Sequence, residues 1–103
     1  MHSIWIADDD EAIRLVLEES LSSAGFKTKS FASGEDLVKE LDNSQPDLII
    51  TDVQMPGMLG YDVLKHINNN FEDIPVIVMT AFADMQAAVE SFGGGAYEYI
   101  PKP

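Results

Sequence analysis

Chemistry-bearing side chains recur where short apolar runs end. Three consecutive aspartates, Asp8 to Asp10, follow the run Ile4–Ala7; Asp52 follows "LIIT", Thr80 closes "VIVM", and Lys102 comes after "YEYI" and one proline. Carboxylates held close together cannot all stay ionised without a counter-charge. A hard divalent cation with oxygen ligands supplies one, and Mg²⁺ suits a small carboxylate cluster that keeps some of its waters. Beside such a cation Asp52 can act as a nucleophile and carry an aspartyl phosphate. Lys102 and Mg²⁺ would neutralise charge on the transferred group, and Thr80 would donate a hydrogen bond strengthened by its charged acceptor. These residues are far apart in sequence, so the chemistry exists only if the fold gathers them.

The intervening pattern is one that can. Short β-rich runs at Ser3–Ala7, Lys27–Phe31, Asp47–Thr51, Pro75–Thr80 and Tyr97–Ile100 alternate with helical periods. The first helix carries Ile13, Val16, Leu17 and Leu21 at spacings of three and four, and Gly25 stops it. A second begins near Ser33 with Leu37, Val38 and Leu41 on its apolar side; Asp36, three after Ser33, makes a weaker relative of the capping box. The loop Met55–Gly60, punctuated by Pro and Gly, precedes a third helix with Val63, Leu64 and Ile67. The fourth carries Met85, Ala88, Val89 and Phe92 and ends at Gly93–Gly95. Such β-α alternation predicts a parallel sheet with helices on both faces. The flavodoxin-like strand order 2-1-3-4-5 places the polar second strand at an edge. Sites in open parallel sheets form beyond the carboxyl ends of the strands at the topological switch point, here between the first and third strands. That rim is where Asp8, Asp9, Asp52, Thr80 and Lys102 all fall.

The bulk properties narrow the function classes. A chain of 103 residues with 46% apolar residues makes one domain with a core of its own. A net charge of −12 disfavours direct contact with nucleic acid or anionic membrane. No run is long enough to span a bilayer, no secretory leader is visible, and there are no cysteines, so a cytoplasmic location is expected.

The segments "ADDDEAIR", "LIITDVQMPGMLGYDVL", "PVIVMTAFAD" and "GAYEYIPKP" resemble the receiver domains of two-component response regulators, and the likeness runs in register along the whole chain. The segment "MTAFADMQAAVESFGGGAYEYIPKP" is most similar to receivers of NtrC-type transcription activators. The resemblance implies a CheY-like fold and a signalling domain, not an enzyme. It implies Asp52 as the phosphoacceptor supplied by a sensor histidine kinase, and Mg²⁺ held by Asp8, Asp9, Asp52 and the Gln54 backbone carbonyl. It implies Thr80 and Lys102 on the phosphoryl group, and Tyr99 coupled to Thr80 as a switch read by an output domain or partner, transcriptional in the NtrC case. Gln54 and Phe82, two after the acceptor and two after the threonine, would tune dephosphorylation; the large Phe82 predicts a long-lived phosphoryl group.

Other readings stand beside this one. Asp10 is expected to be a helix N-cap and not a ligand, and His2 and His66 are surface residues. A haloacid dehalogenase-like aspartyl-nucleophile phosphatase would need "DxDxT" after the first strand, which this chain lacks. Receivers usually continue into a fifth helix after this Lys-Pro. Residues 1–103 are therefore expected to be a receiver truncated at its C-terminus, or one whose last helix is replaced by another chain, as in a homodimer. Apolar surface on the first, fourth and fifth strands is expected to be exposed as a result.

Overall fold

The computed structural model describes residues 2–55, 57–71 and 73–102, with the side chains of Phe82, Ser91 and Phe92 outside the description. The strands are β1 (Ser3–Ala7), β2 (Lys27–Phe31), β3 (Leu48–Asp52), β4 (Val76–Thr80) and β5 (Glu98–Pro101). The helices are α1 (Glu11–Ser23), α2 (Gly34–Glu40), α3 (Gly60–Asn70) and α4 (Met85–Phe92), with short 3-10 turns at Phe82–Asp84 and Gly93–Gly95. The strands form one parallel sheet in the order β2-β1-β3-β4-β5.

The sheet separates two apolar layers, because successive strand residues face opposite sides. Trp5, Ala7, Ile49, Val76 and Val78 meet Leu37 and Leu41 of α2, Val63, Leu64 and Ile67 of α3, and Ala88 of α4. On the other side Ile4, Ile50 and Met79 meet Ile13, Leu17 and Leu21 of α1. Burying one aliphatic side chain stabilises by about 1.5–3 kcal/mol, so the first layer supplies most of the stability.

The second layer is thinner. No residue of α1 is fully buried, and Val16, expected on its apolar face, is 50% exposed. Its position lies at the margin of the stripe, beyond the reach of the strands. The expected exposure of sheet residues is narrower than the sequence suggested. Ile4 on β1 and Met79 on β4 are buried, while Ile77 and Ile100 are only half-buried. α1 covers β1, β3 and the near side of β4, and its cover thins toward β5.

Local chemistry explains the element ends. The Asp10 carboxylate accepts from Ala12 N–H at 2.9 Å and Ile13 N–H at 3.4 Å, satisfying amides that open α1. Gly25, at φ 97°, turns the chain after α1 in a conformation that favours glycine. Ser33 accepts from Asp36 N–H at 3.2 Å at the start of α2. Strand bounds shift by one residue from expectation. β3 runs to Asp52 itself, β4 starts after Pro75, which has no N–H to give a ladder, and β5 includes Pro101.

Candidate functional site

The parallel register brings the carboxyl ends of β1, β3 and β4 to one level: Ala7 pairs with Thr51, and Asp52 with Met79. Asp8 emerges from β1, Asp52 is the last residue of β3, Thr80 the last of β4, and Lys102 directly follows β5. Oxygen atoms of Asp8, Asp9 and Asp52 all lie within 4.8 Å of one another. Lys102 Nζ donates to Asp52 Oδ2 at 2.9 Å and sits 3.5 Å from Asp8 Oδ2. Lys102 N–H also donates to the Thr80 carbonyl at 2.8 Å, which fixes the lysine's backbone to the end of β4.

Asp8 is the most constrained member. It is fully buried. Its N–H donates to Phe31 O at 3.1 Å, its carbonyl accepts from Arg14 Nη1 at 2.6 Å, and its Oδ1 accepts from Asp10 N–H at 2.9 Å. Among the described residues no hydrogen-bond donor reaches Oδ2, which keeps the ion pair with Lys102 at 3.5 Å. Burial pushes the Asp8 carboxyl above its ordinary range, helped by the negative Asp52; the Asp10 amide and Lys102 oppose. For Lys102, burial works to lower its affinity for a proton. The hydrogen bond to Asp52 and the charges of Asp52 and Asp8 outweigh that and raise it. The lysine therefore stays charged among the acids.

A cavity of about 420 Å³ opens on these groups, lined by Asp9, Asp52, Gln54, Thr80, Asp84 and Lys102. Behind Asp52 the packing is close: a Cβ on Gly60 would collide with the Asp52 carbonyl oxygen, so the start of α3 abuts the acid's backbone. Among the described residues, one buried oxygen without a hydrogen bond, two further carboxylates and no histidine or cysteine ligand make a donor set that fits a hard cation such as Mg²⁺. One ammonium for three acids leaves a deficit of positive charge that a divalent ion corrects.

The sequence-derived residues thus divide. Asp8, Asp9, Asp52, Thr80 and Lys102 share the rim. Gln54 lines the cavity beside them. Asp10 caps α1. Tyr99 pairs with Val78, so it lies on the same sheet face as Thr80, one strand over. Its hydroxyl donates to the Gly93 carbonyl at 2.7 Å, and burial raises its pKa. The Phe82 side chain lies outside the described residues. His2 is exposed and His66 packs near Phe71 on α3's far end. Arg14 was not singled out from sequence; a lone arginine on the polar side of a helix gives no signal that it turns back to a strand-end carbonyl.

A family profile described as the response regulator receiver domain matches residues 4–103. The chain is 41% identical over 101 residues to the DNA-binding transcriptional regulator NtrC of Proteus hauseri, covering 98% of this chain and 21% of the relative. It is 40% identical over 103 residues to the transcriptional regulatory protein AfsQ1 of Streptomyces coelicolor, covering 100% of this chain and 45% of the relative. The chain thus spans less than half the length of these relatives. Among solved structures, response regulator protein TrrA of Thermotoga maritima, in complex with Mg²⁺-BeF, superposes with a TM-score of 0.89. That pair is 31% identical, with 100% of this chain and 88% of the other covered. A dehalogenase-like phosphatase is not what these similarities describe.

Proposed function

The chain belongs to the response regulator receiver domain family, a signalling domain and not an enzyme, and from that premise we propose that Asp52 is its phosphoacceptor. The donor is a phosphohistidine on a sensor kinase. An Asp52 carboxylate oxygen attacks phosphorus, the O–P bond forms as the N–P bond breaks, and the electron pair leaves on the imidazole nitrogen. Lys102 engages Oδ2, which supports Oδ1 as the attacking oxygen. Asp8, Asp9, Asp52 and the Gln54 carbonyl are the groups that hold Mg²⁺, which when bound neutralises charge on the transferred phosphoryl group. The observation that carries this reading is the buried Asp8 Oδ2, ion-paired with Lys102 but without a hydrogen bond among the described residues.

Phosphorylation adds roughly −1.5 to −2 charge if an aspartyl phosphate resembles other phosphates. It shifts an equilibrium only by stabilising one state more than the other. The Thr80 hydroxyl and the Lys102 ammonium are the donors on this rim that gain by approaching the new oxygens. A move of Thr80 opens space on the face that Tyr99 shares, and Tyr99 is tied through its hydroxyl to the end of α4. The surface from Asp84 to Phe92 and from Tyr97 to Tyr99 is then the part a partner reads, a transcriptional output by analogy with the NtrC relatives. Residues 1–103 act in this scheme as one cytoplasmic phosphoacceptor domain.

Acetyl phosphate or beryllofluoride, added with and without Mg²⁺, tests the proposal by mass or amide NMR shifts. A Mg²⁺-dependent response that disappears in Asp52→Asn is expected. An unchanged response in that variant rejects Asp52.

A further inference from the structure

Outside the acidic site, one carboxylate reaches into the loop that follows the phosphoacceptor. Glu35, in the first turn of α2, accepts a hydrogen bond from Met58 N–H through Oε1 at 3.0 Å. The same carboxylate lies so close to Gly57 that a Cβ there would overlap its Oε2, and Gly57 already holds φ 79°. The adjacent Gly34 is buried; a Cβ on it would come 2.7 Å from Val63 Cγ2 and 3.2 Å from the Met58 carbonyl oxygen. The start of α2 is therefore seated on the loop and on α3 together, a fit that only two glycines permit.

The loop's other end is closed independently. Gly60 N–H donates to Val53 O at 2.9 Å, and the Asp62 carboxylate accepts from Leu59 N–H at 3.0 Å. Gln54, which lines the acidic cavity, is carried between Asp52 and the point that Glu35 grips. A backbone carbonyl has no rotamer of its own. Where it points is decided wholly by the conformation of its loop.

We propose that Glu35 is a positioning residue for the cation and phosphoryl site: its carboxylate clasps the β3–α3 loop and so aims the Gln54 carbonyl at the acidic cluster. This rests on the reading of Gln54 as a ligand given above. Glu35 is exposed and touches neither the cavity nor the acids, so its effect passes entirely through the loop. Losing one such hydrogen bond, at a solvent-exposed position, weakens Mg²⁺ binding by about threefold to tenfold.

Three variants separate the clasp from other roles. Glu35→Ala removes it, Glu35→Asp keeps the charge but is one methylene too short to reach, and Glu35→Gln keeps the reach and an acceptor oxygen without the charge. Two quantities are read for each: amide hydrogen exchange at Met58 in the metal-free protein, and the Mg²⁺ dissociation constant by calorimetric titration. Glu35→Ala and Glu35→Asp are expected to exchange faster at Met58 and to bind Mg²⁺ about threefold to tenfold more weakly, with Glu35→Gln near wild type in both. Faster exchange with wild-type Mg²⁺ affinity overturns the proposal, because the loop has loosened and the site has not noticed. Weak binding in Glu35→Gln but not in Glu35→Asp also overturns it, since charge and not contact is then responsible. A wild-type chain that does not titrate with Mg²⁺ overturns the site reading and this inference with it.

Discussion

Replacing Asp8 by asparagine should make the metal-free protein more stable while disabling the site. Asp8 is fully buried, its Oδ1 is satisfied by the Asp10 amide, and its Oδ2 has no hydrogen-bond partner among the described residues. A buried polar oxygen left unsatisfied costs about 1–3 kcal/mol, more when charged. Lys102 at 3.5 Å recovers part of this, and Asp52 adds repulsion. Asparagine keeps the oxygen that the Asp10 amide needs and puts an uncharged N–H₂ group where Oδ2 stood, which removes the repulsion from Asp52 and gives up the ion pair with Lys102. We expect a net gain of about 1–2 kcal/mol in EDTA, a rise in Tm of roughly 5–15 °C for a domain of this size. With Mg²⁺ the order reverses, since a ligand at a hundred times its Kd stabilises by about 2.7 kcal/mol and the variant forgoes it. The pH dependence carries the same sign. A carboxyl whose folded pKa is raised costs stability once it is ionised in both states. In metal-free wild type, stability therefore rises as pH falls from neutral through the raised Asp8 pKa toward the ordinary 3.8. Glu40, held low by hydrogen bonds from Asn43 and Lys29, and Asp47, held low by the Ser3 amide, act oppositely, but only once pH falls below 4.5 and 3.8 respectively. Far-UV circular dichroism melts at pH 7 and pH 5, in EDTA and in Mg²⁺, measure all of this. An Asp8→Asn protein less stable than wild type in EDTA, or one whose rank is unchanged by Mg²⁺, refutes the argument.

Other substitutions test neighbouring parts of the reasoning. Asp10→Ala should lose about 1 kcal/mol of stability by uncapping α1 yet keep its Mg²⁺-dependent beryllofluoride shifts, a loss of response marking Asp10 as part of the site. Tyr99→Phe removes the donor to Gly93; urea melts should show a loss of about 0.5–1 kcal/mol, with resting amide shifts centred on residues 93–95. Gly60→Ala drives a methyl group into the Asp52 carbonyl oxygen, where no side-chain rotation can relieve it. It should cost at least about 1–3 kcal/mol and abolish the beryllofluoride response, both read on the same sample by melting and NMR.

What the sequence made legible follows from topology. A parallel sheet aligns the ends of its strands, so Asp8, Asp52, Thr80 and Lys102 could be placed on one rim from the β-α alternation alone. Strand bounds slipped by one residue, but a strand-end rim absorbs such slips: Asp52 serves equally as the last residue of β3 or the first after it. Asp10 was legible for another reason. An aspartate before an amphipathic run meets its amides within three residues, and no tertiary contact intervenes.

Arg14 and Glu35 were illegible because each acts across space on a backbone atom of another segment. Arg14 sits on a helix where any long polar side chain would be tolerated, and only the fold brings the Asp8 carbonyl to its guanidinium. Glu35 occupies the first turn of α2, where an acid is already explained by the helix dipole. Its second role depends on how α2 lies against the β3–α3 loop. The glycines held the missing signal. Gly34, Gly57 and Gly60 each stand where a Cβ would collide with another segment or its side chain, within the two stretches that frame Asp52 and α2. Glycines clustered in the loop after a site residue therefore mark close approach of backbones as well as turns. A charged residue beside such a glycine, as Glu35 stands beside Gly34, is a candidate for the contact that the approach makes.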